Sequence, residues 1–390
     1  MKKVLFVVDE KKLGGVSIVL ENLLNNLDLM SLDVDLLILH NSGTSFTNLN
    51  KKIRVIYGTK TFNIIDEDFK YLLKKGYVIK ALKKCIMSYR MKTNSMKSFI
   101  LSERQKMRLR EYDVEIAFKS GFCSFFVGYS NAKRKINWVH EDYETYNRTK
   151  RYEKTFKQVF NLFDTHVVVS EKAAKSFNDI YHMETKTCVI ENYINEKAIK
   201  CEAKKENVVL DKDKINIVSL GRFCHEKGFD RLIEAIKTLK DKLGDIDIKL
   251  NIIGYGEQET VLKNQVMSSG LEDIVQIYNT ENIKCNPYAM IASSDIFVMA
   301  SRSESFGMTR IEALVLGIPV VTTNVANSDK LIQNDYGIIV ENTTEGIASG
   351  IEKLITNKQL LADIKDNLKN YSYSKENEKI IKRVQKLLEE

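Results

Sequence analysis

Short runs of β-branched and other apolar residues recur along the chain, separated by stretches long enough for a helix. The first series is VLFVV at 4–8, VDLLIL at 34–39, VEIAF at 114–118, INWVH at 136–140 and HVVVS at 166–170. Runs that are apolar at nearly every position predict strands buried on both faces, and helix-length spacers between them predict a parallel sheet in an α/β domain. A charged, strand-poor stretch from Asn195 to Lys214 follows, and beyond it a second series opens. It runs INIVSL at 215–220, IKLNII at 248–253, VQIY at 275–278, IFVMA at 296–300, PVVTT at 319–323 and GIIV at 337–340. The pattern predicts two Rossmann-like domains, 1–204 and 205–370. The chain then reads as helical from Val340 onward. In its last segment, 371–390, Ile380, Ile381, Val384, Leu387 and Leu388 share a helical face able to pack on either domain, the N-terminal one included.

Only two prolines occur, and each marks the start of an element. Pro287 suits the first turn of a helix, and Pro319 the edge of a buried strand. The length, 390 residues, is enough for two or three domains with their own cores. With 44% hydrophobic and 29% charged residues the composition is that of a globular protein, which excludes disordered, collagen-like and disulfide-scaffold classes. The six cysteines, at 85, 123, 188, 201, 224 and 285, form no C-x-x-C pair and no zinc spacing, so a reduced, cytoplasmic chain is expected. The five apolar residues after Lys3 stop at Asp9, too short for a signal-peptide core, and no run of 18 apolar residues predicts a membrane span.

Candidate chemistry lies at the carboxyl ends of the predicted strands, where open α/β sheets bind ligands. Gly14 and Gly15 follow the first strand and precede an amphipathic helix. They fit a phosphate approaching a helix N-terminus and equally a plain tight turn. After INIVSL, Arg222 and Lys227 stand five positions apart, between a strand and a helix that opens at Gly228. Two such cations suit a diphosphate held without a metal; a solvated basic loop is the bland alternative. In SRSESFGMTRIEALVLGIPVV, Glu304 and Glu312 are separated by two helical turns if a helix starts near Ser305. That spacing puts both carboxylates on one side, with the amides of Phe306, Gly307 and Met308 open to anions. Against this, Glu304 also suits a helix cap and Glu312 a solvated surface acid, although the apolar ALVLGIPVV that follows argues for burial.

Taken in order, GG at 14–15, GRFCHEKG at 221–228, SESFG, E-x7-E from Glu304 to Glu312 and ALVLGIPVV resemble the large retaining glycosyltransferase family of the GT-B fold, group 1. The resemblance implies two Rossmann-like domains facing each other across a cleft. It implies Arg222 and Lys227 on the donor diphosphate, Glu304 on the transferred sugar and Glu312 on the nucleotide ribose. The amides of Ser305, Phe306, Gly307 and Met308 would support sugar and phosphate, Gly14 and Gly15 would approach the diphosphate, and the base would lie near Tyr278 and Asn279. His140, in WVHEDY, matches a histidine near the sugar; taken alone it reads as an ordinary core or surface histidine. The chain departs from the family pattern at Asn192-Tyr193, at Asn279 and in VANSDKLI.

The resemblance therefore implies a retaining hexosyltransferase. It would move a hexose or N-acetylhexosamine from a nucleotide-sugar, a UDP-sugar above all, to a saccharide or lipid-linked acceptor of a cell-surface or capsular polysaccharide. No Asp-x-Asp stands at a strand's carboxyl end, so no metal and no cofactor is expected, the nucleotide-sugar being a substrate. A sugar-nucleotide epimerase of the same fold, or a non-catalytic partner subunit, are the alternatives.

Charge adds one further expectation. Residues 70–110 hold thirteen Lys or Arg and a single acid, Glu103, a local +12 that leaves the rest of the chain at about −4. Within FKYLLKKGYVIKALKKCIMSYR at 69–90, Phe69, Leu72, Leu73, Ile79, Leu82, Ile86 and Tyr89 form one helical stripe among lysines. This segment is expected either to rest on an anionic membrane, through residues 69–110, or to be an ordinary helix with a solvated basic face; no nucleic-acid motif accompanies it.

Overall fold

A computed structural model describes residues 1–9, 14–40, 46, 48–64, 69–93, 95–143, 153–244, 247–281, 285–332 and 335–390. The chain divides into two compact units, Met1–Tyr193 with Glu378–Glu390, and Ile194–Asn377.

In the first unit the order is β1 (Lys2–Val8), α1 (Gly15–Leu24), β2 (Leu32–Ile38), β3 (Arg54–Tyr57), α2 (Phe69–Lys74), α3 (Val78–Lys92), α4 (Ser95–Met107), β4 (Val114–Ala117), α5 (Phe122–Gly128), β5 (Arg134–Val139), α6 (Glu153–Phe160), β6 (Thr165–Val168), α7 (Glu171–Tyr181) and β7 (Thr187–Val189). The strands form one sheet ordered β3-β2-β1-β4-β5-β6-β7, parallel throughout. Val4 to Val8 are wholly buried, as a strand covered by helices on both faces requires. Phenylalanines fill the space beneath the helices: Phe62 makes edge contacts with Phe99, Phe122 and Phe126 at ring separations of 6.2, 5.7 and 5.9 Å.

The second unit contains α8 (Glu196–Ala203), β8 (Ile215–Arg222), α9 (Phe229–Leu243), β9 (Ile248–Tyr255), α10 (Glu259–Ser268), β10 (Val275–Asn279), α11 (Pro287–Ala292), β11 (Ile296–Met299), α12 (Met308–Val315), β12 (Val320–Thr323), α13 (Ser328–Leu331), β13 (Gly337–Val340), α14 (Thr344–Thr356) and α15 (Lys358–Leu368). Its sheet, also parallel, is ordered β10-β9-β8-β11-β12-β13. Local signals set the helix boundaries. Pro287 occupies the first turn of α11, and the Asn286 side chain caps the amides of Tyr288 and Ala289 at 3.1 and 3.2 Å. The last helix, α16 (Ser374–Glu389), starts in the second unit and ends in the first. At its start Asn377 exchanges hydrogen bonds with the Ile194 backbone, 3.0 and 2.7 Å. Near its end Arg134 donates to the Leu387 carbonyl at 2.8 Å.

The eleven runs read as strands are all strands. Two more, β3 and β7, complete the first sheet at its edges. RVIY is exposed or half-buried throughout and TCV is three residues long, so neither leaves a continuous apolar run in the sequence.

Candidate functional site

In each sheet the strand order reverses once, between β1 and β4 and between β8 and β11. Connections leave such neighbouring strands toward opposite faces, which opens a crevice at their carboxyl ends. In the second unit β8 ends at Arg222 and β11 at Met299, and the segments that follow them carry most of the chemistry expected of the chain.

After β8 a single 3-10 turn, His225–Lys227, leads into α9 through Gly228, whose φ of 67° is left-handed. A Cβ there would stand 2.1 Å from the Ala300 carbonyl oxygen, so both conformation and space demand glycine. This close approach lays the turn against the segment after β11. Arg302 then ties the two: its amide donates to the Glu226 carbonyl at 2.7 Å, and its guanidinium reaches the His225 carbonyl at 2.8 Å and both Asp230 oxygens at 2.7 and 2.6 Å. Arg231 bonds the Ala300 carbonyl at 2.7 Å and Asn342 at 2.8 Å, and Asn342 returns a bond to the Arg302 carbonyl at 2.9 Å.

Held in this way, the Lys227 ammonium meets the Glu304 carboxylate at 2.6 Å. Ser301 donates to the same Glu304 oxygen at 2.7 Å. Burial pushes the Glu304 carboxyl up, but the charge and hydrogen bond of Lys227, the Ser301 hydroxyl and the Arg310 charge outweigh it and hold it below its ordinary value. Glu312 behaves oppositely. Burial raises its carboxyl to about 7, only partly opposed by the Tyr288 hydroxyl at 3.4 Å and by the field of Lys227. Two glutamates near one lysine thus differ in protonation at neutral pH. Glu304 is a carboxylate, and Glu312 stands near its midpoint.

The helix expected to begin near Ser305 begins at Met308 instead. Gly307, at φ 79°, turns the chain into α12, so Glu304 lies in the preceding loop and the two-turn argument for its spacing from Glu312 does not hold. What brings the acids to the same lysine is the loop's anchorage. The fully buried Arg310 donates to the Phe306 carbonyl and Ser328 hydroxyl, each at 2.8 Å, and to the Ala326 carbonyl. A Cβ on Gly307 would press on that guanidinium at 2.9 Å. Burial lowers Arg310 to about 10 against the pull of Glu304. Ser305 and Met308 are partly exposed, Phe306 and Gly307 buried. The orphan amides of α12 are those of its first turn, from Met308 on.

Arg222, at the tip of β8, is exposed and faces Glu226 and Cys224 electrostatically. Tyr278 and Asn279 close the edge strand β10, where Asn279 commits its side chain to Glu259 and to the Glu281 amide at 2.8 Å.

Gly14, Gly15 and His140 belong to the first unit. Gly14 is extended (φ −120°) as the cap of α1, a conformation any residue adopts, and a Cβ on Gly15 would meet nothing within 4 Å, so the fold itself does not call for glycine at 15. At this unit's own crevice Lys119, after β4, pairs with Asp9, after β1, at 3.0 Å. His140, after β5, stacks on Trp138 with planes 12° apart. Burial, helped by Lys119 and opposed by a hydrogen bond with the Phe118 backbone, lowers its imidazole to about 3; it is neutral at physiological pH. Its Nε2 is buried without a hydrogen-bond partner among the described residues.

Residue-by-residue reading of the sequence missed Asp230, Arg231, Tyr288, Arg302, Arg310 and Asn342. For Arg302 and Arg310 the available signal was an arginine beside each motif glutamate; for the others there was none. Among the described residues no group of three or more His, Cys, Asp or Glu is placed to hold a metal.

Residues 201–371, all within the second unit, match the family described as glycosyl transferases group 1. Curated relatives include 2-deoxystreptamine N-acetyl-D-glucosaminyltransferase of Niallia circulans, 24% identical over 51% of this chain and 52% of that protein. The capsular polysaccharide biosynthesis glycosyltransferase CapM of Staphylococcus aureus is 33% identical over 43% of each. The chain thus spans about half the length of these relatives, or less. Over nearly its whole length it shares the fold of Anabaena HepE, solved with UDP and glucose. That likeness has a TM-score of 0.70 and 16% identity, covering 98% of this chain and 99% of the other. Residues 201–371 thus resemble the glycosyl transferases group 1, and the two parallel-sheet units have the fold of the GT-B structures.

Proposed function

We propose that the protein is a retaining, metal-independent hexosyltransferase that moves a hexose or N-acetylhexosamine from a UDP-sugar to a saccharide or lipid-linked acceptor in cell-surface polysaccharide synthesis. The observation that carries this reading is the Lys227–Glu304 pair at the crevice between β8 and β11, with Glu312 within the field of the same lysine. Cleavage of a sugar–phosphate bond leaves negative charge on the departing nucleoside diphosphate. Lys227, Arg222 and the first-turn amides of α12 offer positive charge and donors for it without an ion. An ionised Glu304 accepts hydrogen bonds from sugar hydroxyls, and Glu312 accepts them from a ribose. With the leaving phosphate on the face that the acceptor attacks, that phosphate takes the acceptor's proton, and no separate enzymic nucleophile is needed. The UDP and glucose of the HepE structure and the capsular role in the CapM name support the donor and pathway class.

The test is turnover of a panel of UDP-, GDP- and ADP-sugars, with and without a chelator, read as released nucleotide and as the anomeric configuration of the product. UDP-sugar turnover that survives chelation with an α-linked product from an α-donor supports the reading. Absence of turnover with every donor, or inversion, overturns it.

A further inference from the structure

The basic stretch predicted as one striped helix is two helices, α2 and α3, broken at Gly76, whose φ is 72°. An ordinary surface helix turns its apolar stripe inward. Here α3 turns it outward. Val78, Ile79, Leu82, Ile86 and Tyr89 are 66, 72, 61, 43 and 66% exposed, whereas the residues that α3 buries are Ala81 and Met87. At about 100° per residue the exposed five fall within an arc of roughly 100°. Phe69, Tyr71, Leu73 and Tyr77, on and after α2, are likewise 37–52% exposed. Lys83 and Arg90 border one side of the stripe, Lys70, Lys74, Lys75 and Lys80 surround its start, and no acid occurs from 69 to 92.

We infer that the exposed face of α2 and α3 is a docking surface for an anionic lipid bilayer. The apolar stripe would enter the interfacial layer while the lysines meet lipid phosphates. Apolar exposure alone would suit a second copy or a protein partner. The excess of positive charge on these two helices, which carry no acid, selects an anionic surface and disfavours self-association, since two copies of the face would oppose like charges. The inference extends the lipid-linked acceptor reading above but stands on this surface alone, so it is tested without turnover.

The experiment is flotation of the full chain with phosphatidylcholine vesicles and with vesicles containing phosphatidylglycerol. Binding to the anionic vesicles alone is expected, weakening as salt is raised. Lys83→Gln should lower partitioning about fivefold. Ile79→Ser with Leu82→Ser should abolish it while leaving the thermal transition unchanged, because these side chains support no core. No flotation with anionic vesicles, equal flotation of the double variant, or a wild-type dimer in solution that the double variant converts to monomer would each overturn the inference. Donor turnover measured on the same preparation keeps a failure here distinct from failure of the transferase reading.

Discussion

Lys227 and Glu304 lie seventy-seven residues apart in the chain and 2.6 Å apart in the fold, each supplied by the loop after one of the two strands that flank the sheet's reversal. Lys227→Met leaves the Glu304 carboxylate buried beside Ser301 with its main counter-charge gone. Transfer should fall at least about a hundredfold, since a donor aimed at developing charge is removed, and stability should fall with it. Glu304→Gln added to Lys227→Met should recover much of the stability and none of the activity. Paired melting curves and initial rates for the two variants check this.

Glu312 makes a pH-dependent contribution of defined sign. Its ordinary carboxyl value is 4.5 and its native value about 7. Between the two, the native state holds a proton that the unfolded chain has released, so stability falls as pH rises through this window and levels off above it. Glu312→Gln should remove that slope and, above pH 7, match or exceed the wild type, by up to about 3 kcal/mol at roughly 1.4 kcal/mol per pKa unit. Denaturant titrations of both proteins across the window measure it. If a ribose binds the ionised acid, UDP affinity of the wild type should rise through about pH 7 and that of Glu312→Gln should not.

Two glycines give opposite expectations. Gly228→Ala places a methyl against the Ala300 carbonyl in a left-handed backbone, so the variant should lose about 2–4 kcal/mol and most of its activity. Gly15→Ala meets open space, so its melting temperature should match the wild type. If a diphosphate approaches the start of α1, its UDP-sugar KM should nevertheless rise. Thermal melts and steady-state kinetics separate the two effects.

Arg302 touches neither Glu304 nor Lys227 by hydrogen bond, yet it holds the turn that carries Lys227 through the Glu226 and His225 carbonyls and Asp230. Arg302→Ala should lower kcat about tenfold or more by loosening that turn, with less change in KM. Arg302→Lys should rescue poorly, because one ammonium cannot reproduce the forked bonds to Asp230.

How much of this was legible beforehand follows from where the information resides. Long buried strands such as Val4 to Val8 announce themselves as apolar runs, and Pro287 announces a helix start. The edge strands β3 and β7 are short and lack the two covered faces that make a continuous pattern. Glu304, Glu312, Lys227 and Arg222 stood out through the order of their motifs. The start of α12 was misplaced because Gly307 acts as a left-handed turn before the helix, and a glycine in sequence does not disclose its φ. Arg310, Tyr288 and the Arg302–Asp230 pair stayed hidden because each depends on a partner brought near only by the sheet's winding. The outward stripe of α3 was equally invisible, since periodicity defines a face without saying which way it turns.

The return of α16 has a consequence for biosynthesis. The first unit includes residues 378–390, so in topology the second unit is an insertion within the first, entered at Ile194 and left at Asn377, residues that bond to each other. A nascent chain that folds domain by domain from its N-terminus can close the second unit while the first still lacks its final helix. Until residues 378–390 emerge from the ribosome, Arg134 has no Leu387 carbonyl to bond. Residues 378–390 thus complete a unit whose other elements all precede residue 194.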